Sequence, residues 1–482
     1  MRHSRHAGHS RRATRDTARD TTPGTVSAGR GTGANGRTRT ALAVLAGTCL
    51  TAGVLAPGTA VARPADGGTA RAVPAVERIS VAQDGAQGNG PSHSSSISAD
   101  GRTVTFLSAA GNLVPGDTDG ATDIFIRSLS TGRTQRLEFG RPGLEPVALS
   151  ADAEGRRGVV ETYQYDPVTG EQTQELWVYD RDSGRVRPML PGGPTLAGIQ
   201  QAVISADGRS VAFQSTRADL VPGDTNGIAD IFVHDLRRGT TKRVNVFSDG
   251  TQADRAAAGP SLSADGSRVL FISRTDLAPG PEGPGPGEPG AGTARKPISY
   301  PAFVHDLRTG RTEAASMGHD NATVGAISAS LSADGRYALF SSRYVDVVPG
   351  DTNNQIDLFR RDLRRGTVER VSLAHDGAEP QGGESWNGVL SADGRTLLFN
   401  SVANNLVPGD TNDGEDLFAR DLRTGAVERL PVTPDGSALP WDVYGYTTDA
   451  RGRTVAFDSG SAALVPEDTN GVSDVYVLRR RS

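Results

Sequence analysis

The sequence predicts an all-β fold: a seven-bladed β-propeller of four-stranded antiparallel blades, closed by an N-terminal strand that completes the last blade. Three observations predict it. The octapeptide LVPGDTNG (Leu220 to Gly227) recurs in close copies at Asn112–Gly120, Asp346–Asn354, Asn405–Asp413 and Ala463–Gly471. A second signature, SADG, recurs with its aspartate at Asp100, Asp207, Asp265, Asp334 and Asp393, and in variant form at Asp152 and Asp449. A third, of the type HDLRRG (His234 to Gly239), follows in step as HDLRTG, RDLRRG, RDLRTG and YDRDSG. The unit is thus written seven times at a period of roughly 50 to 70 residues, the range of propeller blades.

The N-terminal region stands apart. Residues 1–40 carry nine arginines against Asp16 and Asp20. An apolar run follows (Ala41 to Ala56), then a small-residue exit ending at Ala62. A basic stretch, an apolar stretch and an Ala-x-Ala exit describe a secretory signal peptide over 1–62; a retained membrane anchor is the other reading of that run. Residues 63–75, rich in Gly, Pro and Ala, read as a linker. Removing residues 1–62 takes nine arginines and two aspartates from a formal charge of −5, which leaves −12. An acidic mature chain argues against a nucleic-acid partner, because phosphate binding needs a basic surface. The only cysteine, Cys49, lies in the apolar run and leaves with the signal, so no disulfide or thiol chemistry is expected. The expected product is a monomer outside the cytoplasm, secreted or in the cell envelope, without a membrane span.

Within one unit every segment reads as strand or turn. In residues 202–245, AVIS is a short apolar strand and ADG a turn. RSVAFQS alternates with period two, as a half-buried strand does. LVPGDTNGIA is a loop, DIFVHD a third strand and LRRG a turn. TTKRVNV makes the fourth strand. Four antiparallel strands with tight turns are one blade. In the fourth unit the loop is replaced by a Pro/Gly-rich insertion, residues 278–297, and in the second by YDPVTGEQTQ. The last unit, TVAFDSG then DVYVLRRRS, stops after its third strand. VERISV (Val76 to Val81) matches the fourth strands VERVSL and VERLPV, so residues 76–482 should form the propeller with this strand completing the final blade. Closure removes exposed sheet edges.

The SADGRTVAF-like start of each unit, followed by DIFVxDLxTG and a final xxRV strand, resembles the TolB-type, WD40-like family of bacterial propeller repeats over residues 76–479. The resemblance implies the fold and a role as scaffold, binding protein or propeller portion of a larger enzyme. It names no substrate.

The octapeptide loops carry a D-T-[DN]-x-x-x-D pattern: Asp117/Asp119/Asp123, Asp224/Asn226/Asp230, Asp351/Asn353/Asp357, Asp410/Asn412/Asp416 and Asp468/Asn470/Asp474. Two readings stay open. Asp and Asn cap their own backbone in turns and tolerate left-handed dihedrals. Alternatively, oxygen ligands at positions one, three and seven suit a structural Ca²⁺. No other cofactor is expected.

Propeller ligands sit at the mouth of the central channel. The loops between blades place His93, Arg255, Glu384, Trp386, Trp441, Asp442 and Tyr444 there. Tryptophans beside carboxylates suit a sugar ring or a peptide; the same aromatics also suit packing between blades. There is no H-E-x-x-H and no G-x-S-x-G motif. The expectation is a non-catalytic binding or scaffold module with a protein or carbohydrate ligand. The alternative is an extracellular carbohydrate-active lyase or hydrolase with its site at the channel mouth.

Overall fold

The computed structural model describes residues 75–480 apart from 140–142, 167, 193–197, 278–299, 411, 413, 432, 434–436, 438 and 440–442. The expected signal peptide, the linker up to residue 74, the Pro/Gly-rich insertion, Trp441 and Asp442 lie outside the described residues.

Seven four-stranded antiparallel sheets form the propeller, and no helix occurs among the described residues. In blade three the strands are Ile199–Ile204, Ser210–Ser215, Asp230–Asp235 and Thr240–Arg243, paired in that order. The other blades repeat this plan. The first strand of each blade is innermost, and the octapeptide joins the second strand to the third. The fourth strand is shorter than its β-rich sequence suggests. In blade three it ends at Arg243, although the Val244 amide still donates to the Ile231 carbonyl at 2.9 Å.

Alternation on the two middle strands makes the core. One aromatic from each packs within the blade: Phe106 on Phe125, Phe213 on Phe232, Phe271 on Phe303, Phe340 on Phe359, Phe399 on Phe418 and Phe457 on Tyr476. Blade two departs from this, with Val160 facing Trp177, whose indole meets Phe139 edge-on. The opposite faces of the same strands bury aliphatic side chains against the neighbouring blade. The result is seven apolar clusters, one at each blade interface.

The SADG signature fixes the turn between the first two strands. The Ser205 hydroxyl donates to Asp207 Oδ1 (2.6 Å) and accepts the Ser210 amide (3.0 Å), while Asp207 Oδ1 accepts the Arg209 amide (3.1 Å). Gly208 takes φ 68°, and a Cβ there would stand 2.8 Å from the Asp152 carboxylate of the preceding blade. These turns also bond to one another around the channel. Ala99 N–H donates to Ala153 O, Ala153 to Ala206, Asp207 to Ala264, Ala264 to Ala333, Asp393 to Ala450, and Ala450 back to Ala99. The last blade is therefore bonded directly to the first, at 2.9 Å, and packs on it through Ala456, Val475 and Val477 against Val104 and Phe106.

Strand Ala75–Arg78 runs antiparallel to Asp474–Arg479, with Val76 opposite Leu478 and Arg78 opposite Tyr476. It supplies the outer strand of the sheet that holds Tyr444–Thr448 and Thr454–Ser459.

Candidate functional site: the loop face and channel mouth

The octapeptide loops and the connections between blades share one face. In each of the five octapeptide blades the first and last residues of the triplet, both aspartates, lie beside an arginine from the outer strand. Arg136 reaches Asp117 (3.4 Å), Asp119 (2.8 Å) and Asp123 (2.5 Å). Arg243 reaches Asp224 (3.3 Å) and Asp230 (3.4 Å). Arg370 reaches Asp351 (3.3 Å) and Asp357 (3.0 Å), and also Glu379 (2.7 Å). Arg429 reaches Asp410 (2.9 Å) and Asp416 (3.8 Å). Arg78 reaches Asp468 and Asp474, each at 3.6 Å. The arginine always pairs across the sheet with the core aromatic of the third strand: Phe125, Phe232, Phe359, Phe418 or Tyr476. In the two blades without the octapeptide that position is Pro188 or Ala314. Loop and arginine come and go together.

The middle residue of the triplet acts as a turn. Its side-chain oxygen accepts the amide two residues on, in Asp119 to Ala121 (3.1 Å), Asn226 to Ile228 (3.2 Å), Asn353 to Gln355 (3.0 Å) and Asn470 to Val472 (3.1 Å). In the asparagine loops the amide nitrogen then reaches the next connection between blades: Asn226 to Ala253 O, Asn353 to Pro380 O and Asn470 to Gly88 O. Gly414 N–H donates to Asn412 in the remaining loop.

The last aspartate of each loop is buried. Burial raises the pKa of Asp123, Asp230 and Asp474, and pushes Asp416 up to about 6, while the neighbouring arginine pulls each back down. Asp351 is also pushed to about 6 by burial. A second donor shares the load at the buried aspartate: Asn245 Nδ2 on Asp230, Ser372 Oγ on Asp357, and Ser80 Oγ on Asp474. Asp117, Asp119 and Asp123 also have ligand atoms within 4.8 Å of one another, as a metal site requires, and Arg136 lies among them.

Three of the expected residues share one register position on the first strands of their blades. His93 pairs with Leu107, Trp386 with Asn400 and Tyr444 with Asp458. Leu107, Asn400 and Asp458 are equivalent positions, each six residues past the turn glycine (Gly101, Gly394, Gly452). Blades six, seven and one are neighbours, so the three form a continuous arc. Each is followed by a left-handed residue that bulges the inner strand: Ser94 (φ 53°), Asn387 (φ 55°) and Gly445 (φ 44°). His93 and Trp386 are half-buried, and burial lowers the His93 pKa, which keeps the imidazole neutral at neutral pH. Arg255 and Glu384 do not join the arc. Arg255 is an exposed loop residue of blade four, and Glu384 is paired with Arg343 at 2.6 Å.

Two acids on the second strands escaped the sequence reading, Asp458 buried and Glu161 half-buried. Asp458 and Glu161 occupy the same repeat position, which is Leu107 in blade one and Ile272 in blade four. Each faces the bulge of the next blade. The backbone amides of Ser94 and Ser95 point at Asp458, and those of Gln201 and Ala202 at Glu161, with Ala202 at 2.6 Å. Burial outweighs these bonds and pushes Asp458 up to about 8 and Glu161 up to about 7. Consecutive amides around a left-handed residue form an anion-binding nest, so a polar residue at this one position is the signal that finds them.

This geometry defines the class of protein: a seven-bladed propeller with an ion-paired loop face. No family model matches the chain, and no curated protein matches it in sequence. It is similar in fold to the β-propeller domain of the Trilobed protease from Pyrococcus furiosus (11% identity, 81% of this chain and 93% of that one, TM-score 0.48). It is also similar to the putative TolB from Agrobacterium tumefaciens (15%, 75% and 98%, TM-score 0.35) and to an oligogalacturonate lyase solved with manganese (12%, 86% and 95%, TM-score 0.33). Among the described residues no helix is long and apolar enough to cross a membrane.

Proposed function

We propose that this protein is an exported, monomeric propeller that binds a protein or carbohydrate ligand at its loop face and performs no chemistry on it. The observation that supports this reading is the use made of the loop-face charges. The one group of three carboxylates within metal-binding range among the described residues holds Arg136, and the four loops like it hold arginines of their own. Those acids brace the loops. The arc at the channel then offers an indole and a neutral imidazole, groups that stack on a sugar ring or receive a peptide. In this reading Ca²⁺ is not required, because arginine supplies the positive charge.

The alternative, a carbohydrate lyase or hydrolase at the channel mouth, draws support from Asp458, a buried acid directly across from Tyr444. One experiment separates them. The protein is incubated with panels of polysaccharides and peptides, and both binding and product formation are followed by mass spectrometry. Binding without new products, lost in Trp386→Ala at an unchanged melting temperature, is the expected outcome. Product formation that disappears in Asp458→Asn would make the enzyme reading the correct one.

A further inference from the structure

The face opposite the octapeptide loops carries the SADG and DLRTG turns. Between blades six and seven a groove of about 530 Å³ opens there, lined by Arg395, Arg451, Arg453 and Arg480 with Asp393, Asp421 and Glu428. We propose that this groove binds a small ligand bearing two or more oxyanion groups.

The groove has a sequence cause. The residue after the core aromatic of the third strand is Ile126, Val178, Val233, Val304, Arg360 and Val477 in the other blades; in blade six it is Ala419, which lines the groove. A missing branch leaves space beside the outer strand. The volume lies in the range of small-molecule sites.

Charge gives the ligand its class. The carboxylates are already engaged. Asp393 accepts the Ser391 hydroxyl (2.7 Å) and the Arg395 amide (3.1 Å). Asp421 accepts the amides of Arg423 (2.8 Å) and Thr424 (2.7 Å). Glu428 is paired with Arg480, which also donates to the Gly452 carbonyl. The other three guanidinium groups, those of Arg395, Arg451 and Arg453, make no side-chain hydrogen bond or ion pair to any described residue. The same turn in blade five shows the contrast: Arg336 is held by Asp362 at 2.6 Å. Three open guanidinium forks facing one groove match oxyanions, which accept paired N–H bonds from each fork. The mature chain is acidic overall, so such a ligand is directed to this patch and away from the loop face.

The test is calorimetric titration of the purified protein with inorganic tripolyphosphate at low ionic strength, with citrate as a parallel titrant. Saturable one-to-one binding is expected, weakening as salt is added. The triple variant R395Q/R451Q/R453Q should lose about tenfold or more in affinity. The pair R102Q/R209Q, at the equivalent turn position in blades one and three, should lose nothing. Ala419→Val keeps every arginine and installs the residue that four sister blades carry, so it should fold and still weaken binding. If citrate binds as tightly as tripolyphosphate, the ligand class is the polycarboxylate; if only tripolyphosphate binds, it is the phosphate. No saturable binding of either probe, or equal losses in the triple variant and the R102Q/R209Q pair, would overturn the proposal.

Discussion

Arg370 lies 3.0 Å from Asp357 and 3.3 Å from Asp351, with all three side chains nearly sealed from solvent. The arginine comes from an outer strand and the aspartates from a loop, so the pair ties the rim of the blade to its face. Removing the guanidinium would leave two buried carboxylates facing each other. Breaking a buried pair from one side costs about 3–5 kcal/mol. Arg370→Met should therefore destabilise strongly, by an amount readable as a drop in the urea midpoint at unchanged slope. Pro188 and Ala314 already occupy this position in the two blades without the aspartates, so the outer strand tolerates an uncharged residue. The expected loss thus belongs to the orphaned carboxylates. The double variant Arg370→Met with Asp351→Asn should recover part of it.

The same geometry predicts the response to calcium. In the wild-type protein the five loops contain a permanent cation, so EDTA and excess Ca²⁺ should leave the melting temperature unchanged. In Arg370→Met the site is acidic and open, and Ca²⁺ should raise the melting temperature while Mg²⁺, which prefers its own waters, does less. A wild-type melting temperature that climbs with Ca²⁺ would mean that the ion displaces or supplements the arginines, and the calcium reading of the octapeptide would stand.

The blade plan was legible because the chain writes it seven times: SADG, the octapeptide and DLRTG each mark a turn, and period-two runs lie between them. The loops that precede the inner strands singled out His93, Trp386 and Tyr444, and the strand register sets them opposite Leu107, Asn400 and Asp458. The arginine partner was legible too, but only across the sheet. In four of the five blades the arginine stands 19 residues after the first aspartate of the loop, and in the last blade it comes from the other end of the chain, so the shared presence in five blades and shared absence at Pro188 and Ala314 appear only when the units are aligned against each other. Asp458 and Glu161 were hidden for the opposite reason. Each is a single departure from a repeat position, and its meaning depends on the backbone bulge of a different blade. The groove depends on one missing side-chain branch at Ala419, which no local pattern marks.

Asp458 and Glu161 predict a slope of stability against pH. Asp458 is pushed up to about 8 and Glu161 up to about 7 in the folded protein, against ordinary values near 4 in the unfolded chain. At acidic pH both are neutral in both states. As pH rises past ~4 the unfolded chain releases these protons first, which favours unfolding. Their contribution should thus fall steadily from about pH 4 to about pH 8 and then level off. Asp458→Asn with Glu161→Gln keeps the shape and removes the titration. The wild type should lose stability relative to this variant between pH 5 and pH 8 in urea unfolding. Parallel curves across that window would show that both groups ionise normally.

The outer strand of the last blade predicts how the ring is held. Arg78 serves Asp468 and Asp474 from the other end of the chain, Ser80 Oγ donates to Asp474, and Ile79 is fully buried against blade one. Deleting residues 75–81 would strip the Asp474–Arg479 strand of its neighbour, orphan two buried aspartates and open a cavity beside Phe106. The direct bond from Ala450 to Ala99 and the apolar packing of blade seven on blade one would remain. The ring should therefore still form, with a melting temperature lowered by several degrees or more and an exposed sheet edge that promotes association. Sedimentation velocity reads the association and calorimetry the stability. Arg78→Met is the milder companion and should lower stability without exposing the edge, hence without association. A deletion that melts like the wild type and stays monomeric would mean that the Ala450–Ala99 bond and the apolar packing of blade seven on blade one suffice to close the propeller, and that the N-terminal strand is an ornament on its rim.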